Sequence, residues 1–508
     1  MNRTTLSLAA AVTALAAVTG FAALTTPDGD AGTPTALPAS VRLPVERSSL
    51  LCPAPSNSEV AETVYTSFTP AGEGKGSGQA ELKPSAATAD ETTADPKKTN
   101  TPKKAPAADK PVLTLTQPGK PVSAEADGGD APALVGSASG PLAPGWTTQQ
   151  TTKVPAGGGR GLLGVSCTAP DTDFWFPGAS TAKQRADYVH LTNPDDTATV
   201  VDIELHGPQG PLKSQLTEGI TVPARSSVPV LLSTLTTDPA AEDVTVHVTT
   251  RSGRVGAVVR SADEKLGSDW LPASVDPVGT LVLPGIPADA TSVRLVAYAP
   301  GEDDADLKIQ LASPTGTITP AAAESLHVKS GMTAAVDLKD VTRGEAGSLL
   351  LSPAQKGRAT PVVAALRVVR GKGDDQEAAF IPATGPVGER ATAADNRAKG
   401  TTLSLTAPGE TAEVRVTASA GTEGGTPATK TYTVKGGTTL AVTPPVPAGL
   451  KGSYALTVET LSGGPVHAAR TLAEPDDGIP MFTVQTLADD RGTVEVPEAR
   501  QDLSVLVD

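Results

Sequence analysis

Five histidines, His190, His206, His247, His327 and His467, carry most of the proton-transfer or metal-ligating chemistry open to this chain. Imidazole titrates near neutrality and is the commonest metal ligand. A zinc peptidase sets two of them at H-E-x-x-H on one helix face. No pair here has that spacing, nor H-x-x-x-H. His247 stands in Val244-Thr245-Val246-His247-Val248-Thr249, on the polar phase of an alternating strand, where a solvated side chain is expected. His467 takes a place that Gly256 and Val363 fill in two similar segments, so no catalytic role is expected of it.

Other motifs fall short in their contexts. Gly159-Arg160-Gly161-Leu162-Leu163-Gly164 matches G-x-G-x-x-G. A dinucleotide site needs that turn after a strand and opening a helix, whereas here it leads into strand-like LLGVSC. Gly164-Val165-Ser166-Cys167 approaches a nucleophile elbow, with Thr168 where the second glycine belongs. Gly301-Glu302-Asp303-Asp304-Ala305-Asp306 is an acidic turn without the calcium-loop pattern; it reads as solvated, with weak calcium binding as the second reading. The sequence therefore assigns no catalytic, cofactor-binding or metal-binding residue. Trp175 and Trp270, each close to a proline, form the candidate binding surface, because an exposed indole beside a rigid proline can stack on a sugar or peptide. Core packing is the competing reading, and Phe380 at a similar place favours it.

The elements that must position these residues are strands. The chain has 508 residues with 50 Gly and 46 Pro, and aromatics make up 3%. That balance favours turns and short strands over long helices. Forty-one basic against 56 acidic residues give a charge of −15, which repels phosphate backbones and argues against nucleic acid as a partner.

At the N-terminus Arg3 precedes an uncharged run to Pro27, with LSLAAAVTALAAVTGFAAL at its centre. Residues 1–26 read as a signal peptide or membrane anchor and 27–44 as a tether. An exported chain keeps disulfides, so Cys52 and Cys167 are expected to pair. Two thiols do not make a cysteine-based zinc or iron–sulfur site. Residues 71–111 mix Lys with Asp and Glu, hold a single Leu, and are expected to be disordered.

Three patterns recur. Apolar alternation ending in proline occurs at Leu50–Pro55, Val189–Pro194, Leu295–Pro300 and Leu403–Pro408, the last three prolines 106 and 108 residues apart. A small-residue strand occurs at Gly161–Cys167, Gly253–Arg260, Pro361–Arg367 and Gly464–Arg470. An aromatic or apolar pair before proline occurs at Phe174–Pro177, Trp270–Pro272 and Phe380–Pro382, with Met481–Thr483 in that place last. This period predicts an all-β chain of about four tandem immunoglobulin-like β-sandwich repeats, at 45–186 (with the insertion 71–111), 187–290, 291–398 and 399–508.

Cys52-Pro53, Phe174-Trp175-Phe176-Pro177-Gly178, Leu191-Thr192-Asn193-Pro194 and Leu283-Pro284-Gly285-Ile286-Pro287 together resemble an actinobacterial family of exported proteins catalogued as domain of unknown function 5719. The resemblance spans most of residues 45–485 outside the insertion. It implies an extracytoplasmic location and supplies no activity. The expected function is a non-enzymatic cell-envelope scaffold or binding module, membrane-anchored or secreted, that meets a wall polymer or an envelope protein. The alternatives are an envelope glycan- or peptide-acting hydrolase and an accessory subunit of an envelope glycosyltransferase system.

Overall fold

The computed structural model describes residues 41–72, 77–88, 103–104, 110–216, 218–321 and 323–496. The expected signal or anchor segment, 1–26, lies outside them. Among the described residues no helix is long and apolar enough to cross a membrane. Two compact units are present, and the main one is Pro44–Val494. Val41–Pro44, expected to be tether, forms a two-stranded sheet with Thr493–Val496.

Short alternating segments bounded by Gly and Pro fold the main unit into strands, because alternation puts one face of each strand into a core. The first eight are β1 (Arg47–Cys52), β2 (Glu62–Phe68), β3 (Ala80–Pro84), β4 (Leu113–Leu115), β5 (Val122–Asp127), β6 (Leu134–Ser139), β7 (Thr147–Val154) and β8 (Gly161–Ser166). Next come β9 (Asp173–Ala179), β10 (Arg185–Thr192), β11 (Thr199–Gly207), β12 (Ile220–Val222), β13 (Ser226–Leu231), β14 (Val244–Thr250), β15 (Gly256–Asp263) and β16 (Gly267–Leu271). The third set is β17 (Leu281–Ile286), β18 (Ala290–Tyr298), β19 (Ala305–Ala312), β20 (Ser325–Val328), β21 (Thr333–Lys339), β22 (Gly347–Pro353), β23 (Val363–Lys372) and β24 (Asp375–Pro382). The fourth is β25 (Arg390–Asn396), β26 (Thr401–Ala407), β27 (Ala412–Gly421), β28 (Ala428–Val434), β29 (Thr438–Val442), β30 (Tyr454–Gly463), β31 (His467–Ala473) and β32 (Phe482–Leu487).

Each set makes two antiparallel sheets with one strand order. One sheet runs first, sixth, third, fourth; its partner runs eighth, seventh, second, fifth. A buried cluster joins the two sheets of every pair, for example Leu50, Tyr65 and Leu82 in the first and Phe176, Val189 and Val246 in the second. The Cys52–Cys167 disulfide ties the end of β1 to the residue after β8, and so links the two sheets of the first sandwich.

Several expectations need correction. Residues 80–84, placed in the disordered insertion, form β3, with Ala80 and Leu82 fully buried and Glu81 and Lys83 on the other face. Composition averaged over 71–111 hides a five-residue alternation. Ala87–Thr88, from the same stretch, pairs with β13 of the second sandwich. Residues 89–102 and 105–109 lie outside the described residues.

The unit boundaries also move. Phe174–Pro177 lies on β9, the first strand of the second sandwich, whereas Trp270 and Phe380 lie on eighth strands. Its counterpart is Leu281-Val282-Leu283-Pro284-Gly285 on β17. Both strands bulge at the glycine, Gly178 with φ 97° and Gly285 with φ 87°, a conformation that suits glycine. The sandwiches therefore begin near 173, 281 and 390 and not at 187, 291 and 399. In the first sandwich Leu50–Pro55 covers the first strand and not the second, and Gly161–Cys167 the eighth and not the seventh. A proline after an apolar run marks the end of a strand without saying which strand it ends.

The eighth strands β8, β16, β24 and β32 pack on one another in a closed circuit, with β32 returning to β8. The first sandwich thus touches the fourth. Arg470 donates to Gln149 at 2.6 Å and Thr151 to Asp395 at 2.7 Å across that contact.

Candidate functional site

Two junctions between sandwiches each gather several ionisable groups. At the centre of the circuit, β8 is an edge strand whose N–H groups at Leu162 and Gly164 face away from β7. Glu377 of β24 accepts the first at 2.9 Å and Asp269 of β16 the second at 3.0 Å. Buried backbone donors need partners, and two carboxylates serve here in place of another strand. Arg160 lies 3.3 Å from Glu377, and Thr483 of β32 donates to Asp269. Burial pushes Glu377 up to about 8 against the pull of the Leu162 N–H and Arg160. It raises Asp269 well above the ordinary carboxylate range as well. Burial also lowers Arg470 to about 10, although Asp395 favours its charge. Burial alone would raise Asp395, but Arg397 and Arg470 outweigh it and hold that carboxyl below its usual value.

The second junction lies between the second and third sandwiches. On β9, β14 and β11 alternation turns Phe176, Val246 and Leu205 to the core. The opposite face carries Trp175, His247, Glu204 and His206. Register sets Trp175 beside His247 and His247 beside Glu204 across three neighbouring strands. His206 follows two residues after Glu204, on the same face. The Trp175 ring stacks on the His247 ring at 3.6 Å and 7° and meets Tyr298 of β18 at 5.6 Å. Thr333 of β21 donates to the His206 carbonyl at 2.7 Å.

The polar atoms converge. His247 Nε2 lies 3.1 Å from Asp173 Oδ2, and His206 Nδ1 lies 3.2 Å from the Tyr298 hydroxyl. The other two ring nitrogens, His247 Nδ1 and His206 Nε2, each lie 3.6 Å from Glu204 Oε2. His206 Nε2 is buried without a hydrogen-bond partner, while the Glu204 side chain is 64% exposed. Burial lowers the His206 pKa below its ordinary value, against the pull of Glu204, so the ring tends to neutrality. Among the described residues this is the group of three side chains whose ligand atoms all lie within 4.8 Å of one another.

A family model of unknown function, DUF5719, matches residues 122–445, from β5 to beyond β29. The chain belongs to the DUF5719 family. That span is shorter than the expected 45–485 and contains the second and third sandwiches whole, with every residue of their junction. No curated protein and no solved structure matches this DUF5719 chain.

The expected binding surface is not exposed. Trp175 is 8% and Trp270 1% accessible. Trp270 packs with Leu163, Val165 and Val258 between the first two sandwiches, its ring meeting His190 edge-on at 5.1 Å. The two indoles occupy different junctions and do not form one surface. A cavity of about 10 Å³ beside His190 has room for a water-sized occupant, not for a sugar. Sequence reasoning passed over Glu204 and named His206 only as one of the five histidines. Their two-residue spacing on a strand was the available signal, but His247 lies about 40 residues on, and only strand register brings it alongside.

Proposed function

We propose that this DUF5719 protein is a non-enzymatic scaffold or binding module of the cell envelope, exported through its N-terminal segment and built from four tandem immunoglobulin-like repeats. The observation that carries the reading is the use made of its acid–base groups. Asp269 and Glu377, whose raised pKa values would suit proton transfer, accept backbone N–H groups of β8 inside the closed circuit. There they hold sandwiches together, away from any substrate. The shared strand order supports repetition of one unit. The disulfide and the apolar run after Arg3 support export. The partner is a wall polymer or another envelope protein, met on the outer faces of the sandwiches.

The test has two arms. Full-length protein is followed by cell fractionation, and intact unprocessed chain in the cytosol overturns export. Purified protein is then incubated with peptidoglycan, arabinogalactan-like glycan and casein. Retention without cleavage is expected. Turnover lost on mutating Glu204, His190 or Asp303 would make it a hydrolase instead.

A further inference from the structure

We propose that Glu204, His206 and His247 form a mononuclear site for a divalent transition cation of the zinc class, with two imidazole nitrogens and one carboxylate oxygen as ligands. The argument begins with the nitrogens that face away from the site. Metal-bound histidines almost always engage their second nitrogen with a carboxylate or another fixed oxygen, which sets tautomer and ring plane. Asp173 does this for His247 at 3.1 Å and Tyr298 for His206 at 3.2 Å. Trp175, stacked at 3.6 Å, fixes the plane of His247 a second time.

With hydrogens on His247 Nε2 and His206 Nδ1, the three inward atoms are all acceptors. His247 Nδ1, His206 Nε2 and Glu204 Oε2 then point lone pairs at one another with no hydrogen among them. His206 Nε2 is buried and has no hydrogen-bond partner. A cation at the centre satisfies all three. The spacing suits it: bonds of about 2.0–2.1 Å in tetrahedral geometry put ligand atoms about 3.4 Å apart. Two of the three separations are already 3.6 Å, and the third is within 4.8 Å. Imidazole with carboxylate suits zinc and its neighbours better than calcium or magnesium, which prefer all-oxygen shells. Exposure of Glu204 leaves a fourth position to water or to a donor from a partner.

The site stands apart from the scaffold reading, and its test does not depend on wall binding. Full-length protein without a polyhistidine tag is stripped with a chelator and titrated with Zn²⁺ against a chromophoric competitor, and with Co²⁺ as an absorbing probe. One saturable equivalent is expected, with the visible bands of low-coordinate cobalt. Glu204→Gln changes an exposed side chain, so folding is retained, and it weakens binding at least tenfold. His247→Ala abolishes saturable binding. Asp173→Ala, which removes the acceptor of the far nitrogen of His247, costs about 10–100-fold. His327→Ala leaves binding unchanged, although His327 sits 2.7 Å from Asp306 on the third sandwich. Absence of a saturable equivalent overturns the proposal. So does an equivalent that survives both Glu204→Gln and His247→Ala, or one that disappears with His327→Ala.

Discussion

The central circuit and the junction of the second and third sandwiches both set carboxylates between neighbouring sheets, with opposite results. At the centre, Asp269 and Glu377 are buried, and their oxygens accept the free edge of β8. At the outer junction, Glu204 reaches solvent and its oxygen lies 3.6 Å from a ring nitrogen of each of two histidines. A carboxylate whose partners are backbone donors acts as structural glue. One whose neighbours are imidazole nitrogens, which accept or donate according to tautomer, is open to a cation as a third partner. The difference lies in hydrogen-bond accounting, since residue type is the same in both places.

The largest expected effect tests the closure itself. Arg470 is fully buried and spans the first and fourth sandwiches through Gln149. Arg470→Ala removes one partner of a buried charged group facing Asp395 and is expected to cost about 3–5 kcal/mol in chemical unfolding of the full chain. A loss below about 1 kcal/mol would mean that the first and fourth sandwiches are not joined as described.

Next comes Gly164→Ala. An added Cβ would lie 2.4 Å from the Thr483 side chain, where β8 meets β32. Overpacking of this kind costs about 1–3 kcal/mol. Were the sandwiches independent beads, that position would be open and the change neutral.

The pH dependence sharpens the contrast between the two kinds of carboxylate. Glu377 keeps its proton in the folded state up to about pH 8, against 4.5 as its ordinary value. Across that window the folded chain binds more protons than the unfolded one, so this group's contribution to stability falls as pH rises from about 4.5 to 8. The limiting slope is about 1.4 kcal/mol per pH unit for one group. Asp269, also raised, acts in the same direction. Glu377→Gln is therefore expected to flatten the stability–pH curve by up to one proton. Parallel curves for the two proteins would show that Glu377 is ionised in place.

The smallest effect completes the comparison. Glu204→Gln, at an exposed side chain, is expected to change stability without added metal by no more than about 0.5 kcal/mol. A drop as large as that for Arg470 would move Glu204 into the structural class with Glu377.

Legibility in the sequence followed the range of each interaction. The all-β class was readable because alternation has a period of two and is satisfied within one strand. The disulfide was readable because two cysteines leave a single pairing. Strand identity was harder. Phe174–Pro177 and Trp270–Pro272 look alike, yet they occupy the first and eighth strands, since an aromatic pair before proline serves either edge of a sandwich. The short strand at 80–84 was lost for a related reason: two buried residues could not outweigh the charged, proline-rich stretch around them.

By itself, then, the sequence determined a strand-forming chain with one pair of cysteines and buried faces marked residue by residue. Each of these depends on neighbours a few positions apart, or on a choice with a single answer. Tertiary structure alone decided which strand opens each sandwich, that β32 closes on β8, and that Glu204 and His206 meet His247. Those depend on register and on packing between strands far apart in the chain, and a local pattern does not encode them. The same distinction separates the two tryptophans from the role their residue type invited. An indole beside a proline can stack on a ligand, but Trp175 and Trp270 stand where neighbouring sandwiches already cover them.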